Sequence, residues 1–191
     1  MQQLEFLPDP KMKPKHDPGG KVKLSLKAGI TGSALFGGRK NEYRYRLDRV
    51  WEPKKKTAMF VLMNPSTAEA DIDDNTIAKC CRFATAWGYG GIVVANTFAY
   101  RCTDQKRLVE HLDPVGPDND THILRMAREA SVVIFAYGKP RHKHLRSRGR
   151  EVADMLVKNG IKPHVLKLSN DGTPCHPLYL LETLRPVLWQ L

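Results

Sequence analysis

The chain has 191 residues, of which 41% are hydrophobic, so it is long enough for one hydrophobic core and short for two. Its formal net charge of +11 favours an anionic partner, most simply nucleic acid. No apolar run approaches the roughly 18 residues of a membrane span, and the N-terminus has no continuous apolar signal core; we therefore expect a cytoplasmic protein without membrane association. We also expect a monomer.

The first part of the chain predicts a basic extension followed by one domain. Residues 1–28 contain several prolines and spread lysines without hydrophobic periodicity, which is typical of a flexible arm or a loosely packed extension. Residues 29–191 are expected to form the single domain. Its first strand is expected to alternate buried and exposed side chains over Tyr43, Arg44, Tyr45, Arg46, Leu47 and Asp48. Arg44, Arg46 and Arg49 are expected on a basic outer face, either solvated or in contact with phosphates.

Four apolar runs predict strands that are buried in a sheet. The first covers about six residues and stops at Asn64-Pro65-Ser66, and the others cover residues 91–95, 131–136 and 161–168. Helical patterns alternate with them at residues 76–87, 103–112, 119–130, 139–159 and, as a closing helix interrupted by Pro186, 178–191. Asp74 or Asn75 is expected to cap the first helix. The alternation predicts an α/β fold, a three-layer sandwich with a mostly parallel central sheet.

The polar residues at the ends of the predicted strands are the candidate site. In open α/β sheets ligands bind outside the carboxyl ends of the strands, and Asn64, Asn96 and His176 follow three of these ends. Taken singly, each residue is equally well explained as a turn former, a cap or a structural histidine. Six cations follow the third strand and suit either a phosphate backbone or a solvated helix face: Lys139, Arg141, Lys143, Arg146, Arg148 and Arg150.

The cysteines and acids do not form a metal-binding pattern. Cys80, Cys81, Cys102 and Cys175 include no CxxC pair and are expected to be reduced and mostly buried. The acids before the first helix are accounted for by the positive end of its dipole. We therefore expect neither a metal nor a cofactor.

Four strings in this order resemble the motifs of the uracil-DNA glycosylase superfamily: FVLMNPS, IVVANTF, VVIFAYGKPRHK and HVLKLSNDGTPCHPLYL. The resemblance covers about residues 57–181. It implies that the fold is uracil-DNA glycosylase-like and that the protein removes a flipped base from DNA. From Tyr43 onward the chain also resembles an uncharacterised bacterial family with NPSTA, DDNTI, GYGG and HPLYL strings.

The resemblance also implies roles for particular residues. Asn64 would hold the attacking water, Asn96 would read the edge of the base, and His176 would donate to the departing base. Pro65 and Ser66 would line the base pocket, with Phe83 or Phe98 as its aromatic floor. Further residues would contact DNA, either at phosphates or in the gap left by the flipped base: Lys139, Arg141, Lys143, Arg146, Leu178 and Tyr179.

Ser66 is the informative departure from the uracil-specific pattern. That branch has a tyrosine at this place, which blocks a substituent at carbon 5 of a pyrimidine, so the pocket here is expected to be roomier. A pyrimidine modified at carbon 5, or another damaged base, is then expected as a substrate as readily as uracil, in DNA repair or in defence against modified phage DNA. No lysine is placed as a Schiff-base nucleophile, which predicts a monofunctional enzyme. The alternatives are a hydrolase of free nucleosides or nucleotides and a non-catalytic nucleic-acid-binding protein.

Overall fold

The computed structural model describes residues 23–191, which form nine strands and four α-helices. The strands are β1 Leu24–Ser25, β2 Thr31–Gly37, β3 Tyr43–Val50, β4 Thr57–Leu62, β5 Ile72–Asp73, β6 Gly91–Asn96, β7 Val132–Phe135, β8 Pro163–Val165 and β9 Val187–Leu188. The α-helices are α1 Asn75–Ala86, α2 Lys106–Glu110, α3 Asn119–Glu129 and α4 Arg148–Lys158. Lys143–Leu145 and Pro177–Tyr179 are short 3₁₀ helices.

Seven of these strands form one mixed sheet in the order β2-β3-β6-β4-β7-β8-β9. The four middle strands, β6, β4, β7 and β8, are parallel to one another. The flanking strands β2 and β3 on one side and β9 on the other pair antiparallel. The predicted α/β class is therefore confirmed, and the predicted parallel strands form the centre of a sheet whose sides are antiparallel.

Both faces of the central strands are covered, which explains their uninterrupted apolar sequences. On one face, Phe60 and Leu62 of β4 belong to a core cluster with Ile77 and Phe83 of α1. On the other face, Met59 and Val61 belong to a second cluster, to which α3 and α4 contribute Ile123, Met126, Val152 and Leu156. The result is three layers, with α1 on one side of the sheet and α3 and α4 on the other.

The first helix begins where the sequence predicts. The Asp74 carboxylate accepts a hydrogen bond from the backbone N–H of Ile77 at 2.9 Å, which satisfies one of the free donors of the first turn. The helix ends before Gly88, whose φ of 85° lies in the left-handed region. Because α1 connects the parallel strands β4 and β6, its N-terminus lies on the side of their carboxyl ends.

The predicted closing helix at residues 178–191 is wrong. This segment wraps around the edge of the sheet, so that Leu180 and Leu184 pack in one core cluster and Trp189 packs in the other. A single amphipathic helix has one apolar face and cannot supply both clusters. The chain instead ends in β9, which pairs with β8, and Pro186 just before it has no N–H for a helix.

Three other boundaries differ from the sequence-based expectation. Strand β8 spans only Pro163–Val165, because the chain then turns into a small hairpin closed by a hydrogen bond from Cys175 N–H to the Lys167 carbonyl. Helix α2 is limited to Lys106–Glu110, and residues 139–147 form a loop with one 3₁₀ turn. Near the N-terminus, β1 pairs with β5, so residues before 29 take part in the fold; residues 1–22 of the predicted extension lie outside the described residues.

The predicted basic outer face of β3 is also wrong. The register between β2 and β3 shifts by one residue, with Leu35 opposite Arg46 and Phe36 opposite Arg44, so Tyr45 is the extra residue of a β-bulge. Beyond a bulge the side chains change faces. Arg44 is consequently 2% exposed, on the same face as Arg49, which lies two residues from the buried Leu47 and is itself fully buried. Arg46 stays at the surface and pairs with Asp48 and Glu129.

Arg49 joins β3 to the segment that precedes α1. Its Nε donates to the Asp73 carboxylate at 2.8 Å, and its Nη2 donates to the carbonyls of Glu69 and Ile72. Burial, together with the charge of Asp74, raises the pKa of the Asp73 carboxyl by more than the neighbouring guanidinium of Arg49 lowers it. Both charged groups lose their hydration when the chain folds, so each needs the other as its counter-charge.

Replacing Arg49 by methionine is expected to lower the free energy of unfolding by about 3 to 5 kcal/mol, because Asp73 is left as an unpaired buried charge. The matched control is Arg46→Met on the same strand, whose partly exposed ion pairs contribute only about 0 to 1 kcal/mol. Urea unfolding of both variants measures the difference. Equal losses would show that Asp73 does not depend on Arg49.

Candidate functional site

The order of the parallel strands places a crevice between β4 and β7. The chain passes from β4 to its neighbour β6 and then crosses to β7 on the opposite side of β4. The two connections that leave β4 and β7 therefore run to opposite faces of the sheet, which opens a crevice at their carboxyl ends. Asn64-Pro65-Ser66 follows β4, and Tyr137-Gly138-Lys139 follows β7.

Backbone hydrogen bonds join the ends of β4 and β6 beyond the regular pairing. Thr97 N–H donates to the Leu62 carbonyl at 2.8 Å, and Phe98 N–H donates to the Met63 carbonyl at 2.9 Å. The Thr97 hydroxyl adds a bond to the same Met63 carbonyl at 3.0 Å. These contacts set the distance between the two strand ends, and with it the relative position of Asn64 and Asn96.

Asn64 ties the turn after β4 to a neighbouring loop. Its Nδ2 donates to the Cys102 carbonyl at 2.6 Å and to the Pro65 carbonyl at 3.1 Å. Cys102 N–H donates back to the Pro65 carbonyl at 3.0 Å. Oδ1 of Asn64 receives no hydrogen bond from residues 23–191, so the acceptor of this amide is the atom available to a ligand or to a water.

Asn96 is 1% exposed and is held from both its side chain and its backbone. Its Oδ1 accepts a hydrogen bond from Arg44 Nη2 at 3.1 Å, while its Nδ2 is buried and has no partner among the described residues. Nδ2 of the fully buried Asn119 donates to the carbonyls of Asn96 and Thr97 at 3.0 and 3.2 Å. Arg148 Nε also donates to the Thr97 carbonyl, at 3.1 Å.

His176 lies above the end of β7. Gly138 has a φ of 68°, and a Cβ added to it would lie 3.0 Å from the Cβ of His176, so only glycine permits this approach. Nδ1 of His176 accepts a hydrogen bond from Leu178 N–H at 3.4 Å, which assigns the ring proton of the neutral form to Nε2. Burial lowers the pKa of His176, and the charge of Asp74 opposes this in part.

The basic segment after β7 is only partly free to contact an anion. Lys139 pairs with Asp171 at 2.5 Å, Arg148 pairs with Asp120, and Arg150 pairs with Asp154. Arg146 donates to the carbonyls of Pro140 and Arg141 and shapes the loop. Arg141, Lys143 and Arg146 are exposed and make no ion pair with residues 23–191. They lie at the same edge of the sheet as Asn64 and His176.

The other predicted site residues are divided between the core and the surface. Phe83 is fully buried beneath the sheet and Phe98 is 4% exposed, so neither presents a ring surface in this conformation. Pro65 is buried and Ser66 is half-buried in the turn after β4. Leu178 and Tyr179, next to His176, project into solvent with 37% and 84% of their surface exposed.

Sequence reasoning missed Arg44 and Asn119, which hold Asn96 in place. Strict alternation places Arg44 on the face opposite that of Tyr43, and no local signal in the sequence marks the bulge. Asn119 opens α3 and could be read only as a helix start. Within residues 23–191, no group of three or more His, Cys, Asp or Glu is placed to bind a metal, and no helix is long and apolar enough to span a bilayer.

The fold and the site define an α/β protein with polar residues gathered at the carboxyl edge of four parallel strands. Residues 44–178 match a family model described as "Protein of unknown function (DUF1643)". This match covers most of the chain, which therefore belongs to that family. No curated protein and no solved structure matches the chain.

The lowered pKa of His176 gives a pH-dependent contribution to stability. The unfolded chain takes up the proton first as the pH falls, so the contribution is present above about pH 6.5 and is lost as the pH falls through the folded pKa. His176→Asn keeps an acceptor for Leu178 N–H and does not titrate. Between about pH 7.5 and about pH 5, this variant should lose less unfolding free energy than the wild type. Equal losses in urea unfolding would mean that His176 titrates like an exposed histidine.

Proposed function

We propose that the protein is a monofunctional DNA glycosylase with a uracil-DNA glycosylase-like fold. It hydrolyses the N-glycosidic bond of a damaged or modified base that has been flipped out of DNA. The observation that carries this proposal is that Asn64, Asn96 and His176 lie at one edge of the sheet, beside the ends of three adjacent strands. They stand after β4, after β6 and beside the end of β7. The resemblance assigns to these three residues the water, the base edge and the departing base.

The state of His176 supports its role at the leaving base. Breaking a base–sugar bond leaves the electron pair of that bond on the base, which becomes an anion. A neutral imidazole with its proton on Nε2 donates a hydrogen bond to a carbonyl oxygen of this anion. The bond from Leu178 N–H to Nδ1 fixes the tautomer, and burial keeps the ring neutral.

Asn64 supports the other half of the reaction. Its Nδ2 is committed to the Cys102 and Pro65 carbonyls, which orients Oδ1 as an acceptor for one hydrogen of a water. The oxygen of that water attacks the sugar carbon, its proton passes to solvent or to the base, and the products are an abasic sugar and the free base. An amide is not a general base, so turnover is expected to be slower than with an aspartate.

The surroundings of the crevice suit a nucleic acid. Arg141, Lys143 and Arg146 place positive charge at this edge without carboxylate partners among the described residues, which suits contact with phosphates. The exposed Leu178 and Tyr179 lie beside His176 and suit the gap left by a flipped base. A small side chain at Ser66 leaves room for a substituent on the base.

A second candidate is a non-catalytic nucleic-acid-binding protein. The contact of Asn64 Nδ2 with the Cys102 carbonyl at 2.6 Å favours it, because this contact gives Asn64 a structural role that needs no chemistry. Salt-dependent DNA binding without base release would favour this candidate.

The proposed roles predict that the rate of base release falls in certain variants while the affinity for DNA does not. In His176→Ala and Asn64→Ala, single-turnover base release should fall by about 100- to 1000-fold while DNA affinity stays nearly unchanged, because both groups act mainly on charge that develops in the transition state. The substrate is the best base found in a screen of modified-base oligonucleotides treated with alkali to cut at abasic sites. If both folded variants keep rates near that of the wild type, the crevice is not the active site.

The exposed cations predict the salt dependence of DNA binding. Replacing Arg141 and Lys143 by alanine should lower the slope of log affinity against log salt by about 0.9 for each lost contact, on any sequence. The matched control removes the same charge from α3, with Arg125 and Arg128 replaced by alanine. These residues lie in the second half of α3, near the start of β7 and far from the crevice. A slope that changes equally in both double variants would assign binding to net charge alone.

A further inference from the structure

Arg44 is buried against Asn96 without a carboxylate partner. Its Nη1 donates to the Ala68 carbonyl at 2.7 Å and its Nη2 donates to Oδ1 of Asn96 at 3.1 Å. Its Nε is buried without a hydrogen-bond partner among the described residues, and within that part of the chain it forms no ion pair. Burial lowers the pKa of Arg44 to about 10; the charges of Arg101 and Arg49 add to this decrease, and those of Asp74 and Glu69 offset it only in part.

A buried arginine without a carboxylate partner contributes little to the stability of the fold. The loss of hydration exceeds the gain unless a counter-charge and good hydrogen bonds replace it, and well-packed apolar residues are often equally stable or more stable at such positions. Arg49, five residues further along the same strand, shows the contrast, because it is paired with Asp73 at 2.8 Å. We therefore infer the role of Arg44 from the groups that it contacts.

The contact with Asn96 fixes one orientation of its amide. A guanidinium only donates hydrogen bonds, so it can lie against Oδ1 of Asn96 and not against its NH₂ group. With Oδ1 turned toward Arg44, Nδ2 is turned to the other side. There it is buried without a partner in residues 23–191, and an unpaired buried donor is a group that a ligand can satisfy.

We propose that Arg44 is a positioning residue that presents Nδ2 of Asn96 to the ligand and thereby selects bases with a hydrogen-bond acceptor, such as a keto oxygen, at the facing position. If a base with an amino group at this position binds in the same pose, its amino donor faces the donor Nδ2 of Asn96. No hydrogen bond can form, and the base is rejected. The identity of the ligand as a base rests on the proposed function. The orientation of the amide rests on the Arg44–Asn96 hydrogen bond.

The selectivity is tested with two duplexes of the same sequence, one with 5-hydroxymethyluracil and one with 5-hydroxymethylcytosine. The two bases share their substituent at carbon 5 and differ in keto against amino at carbon 4. The wild type should release the keto base faster, and Arg44→Met should reduce the ratio of single-turnover rates by about 10- to 100-fold, the size of one buried hydrogen bond. Arg44→Lys keeps a donor and should retain part of the ratio.

Arg46→Met is the matched control, because it removes an arginine from the same strand that does not touch Asn96. The ratio of release rates on the two duplexes should be the same for Arg46→Met as for the wild type. If Arg44→Met slows both duplexes equally and leaves the ratio unchanged, Arg44 only supports the fold and the inference is overturned.

A second measurement does not depend on catalysis. The side-chain amide signals of Asn96 in a ¹⁵N-correlated NMR spectrum are assigned by their loss in Asn96→Asp. They should move in Arg44→Met and stay in place in Arg46→Met, and unchanged signals in Arg44→Met overturn the positioning role. If they move while no base in the screen is released, the glycosylase proposal and the selectivity fail and the positioning role stands.

Discussion

Parallel pairing of β4 with β6 and β7 is the constraint on which the rest of the structure depends. Strands covered on both faces have no place for polar side chains along their length, so the polar groups lie where the strands stop. The three strands run in one direction, and they stop at one edge. The convergence of polar residues there follows from the sheet itself and would arise with many sequences; what is particular to this chain is which groups converge and how they are held.

The hydrogen bonds that hold the end of β6 come from both faces of the sheet. Asn119 and Arg148 bind the backbone carbonyls of Asn96 and Thr97 from the α3 and α4 side of the sheet. Arg44 binds the side chain of Asn96 from the α1 side. A strand end held on both faces is rigid, and a rigid residue loses little conformational freedom when it meets a ligand. This arrangement suits recognition more than it suits stability.

Much of the central architecture could be predicted from the sequence, because buried strands and amphipathic helices leave local signals. The runs that became β4, β6 and β7 and the cap at Asp74 are examples. The features that the sequence did not predict depend on contacts between residues that are distant in sequence. Only the pairing of β2 with β3 shows the bulge that buries Arg44, and only the position of residues 178–191 at the sheet edge shows why they serve two cores. The site was predicted as a set of strand ends, while its supporting residues were not.

The tight cover over Asn96 has a consequence for the order of events. At 1% exposure this side chain meets a ligand only after the residues around it have moved apart, and the neighbouring segment after β4 is tethered through Ala68 to Arg44 and through Glu69 to Arg101. The apparent affinity for a base is then reduced by the fraction of molecules that are open, whereas contacts of exposed cations with phosphates carry no such reduction. Encounter with an anionic chain and inspection of a base become separate kinetic steps, the first fast and dependent on salt, the second limited by the opening of the protein.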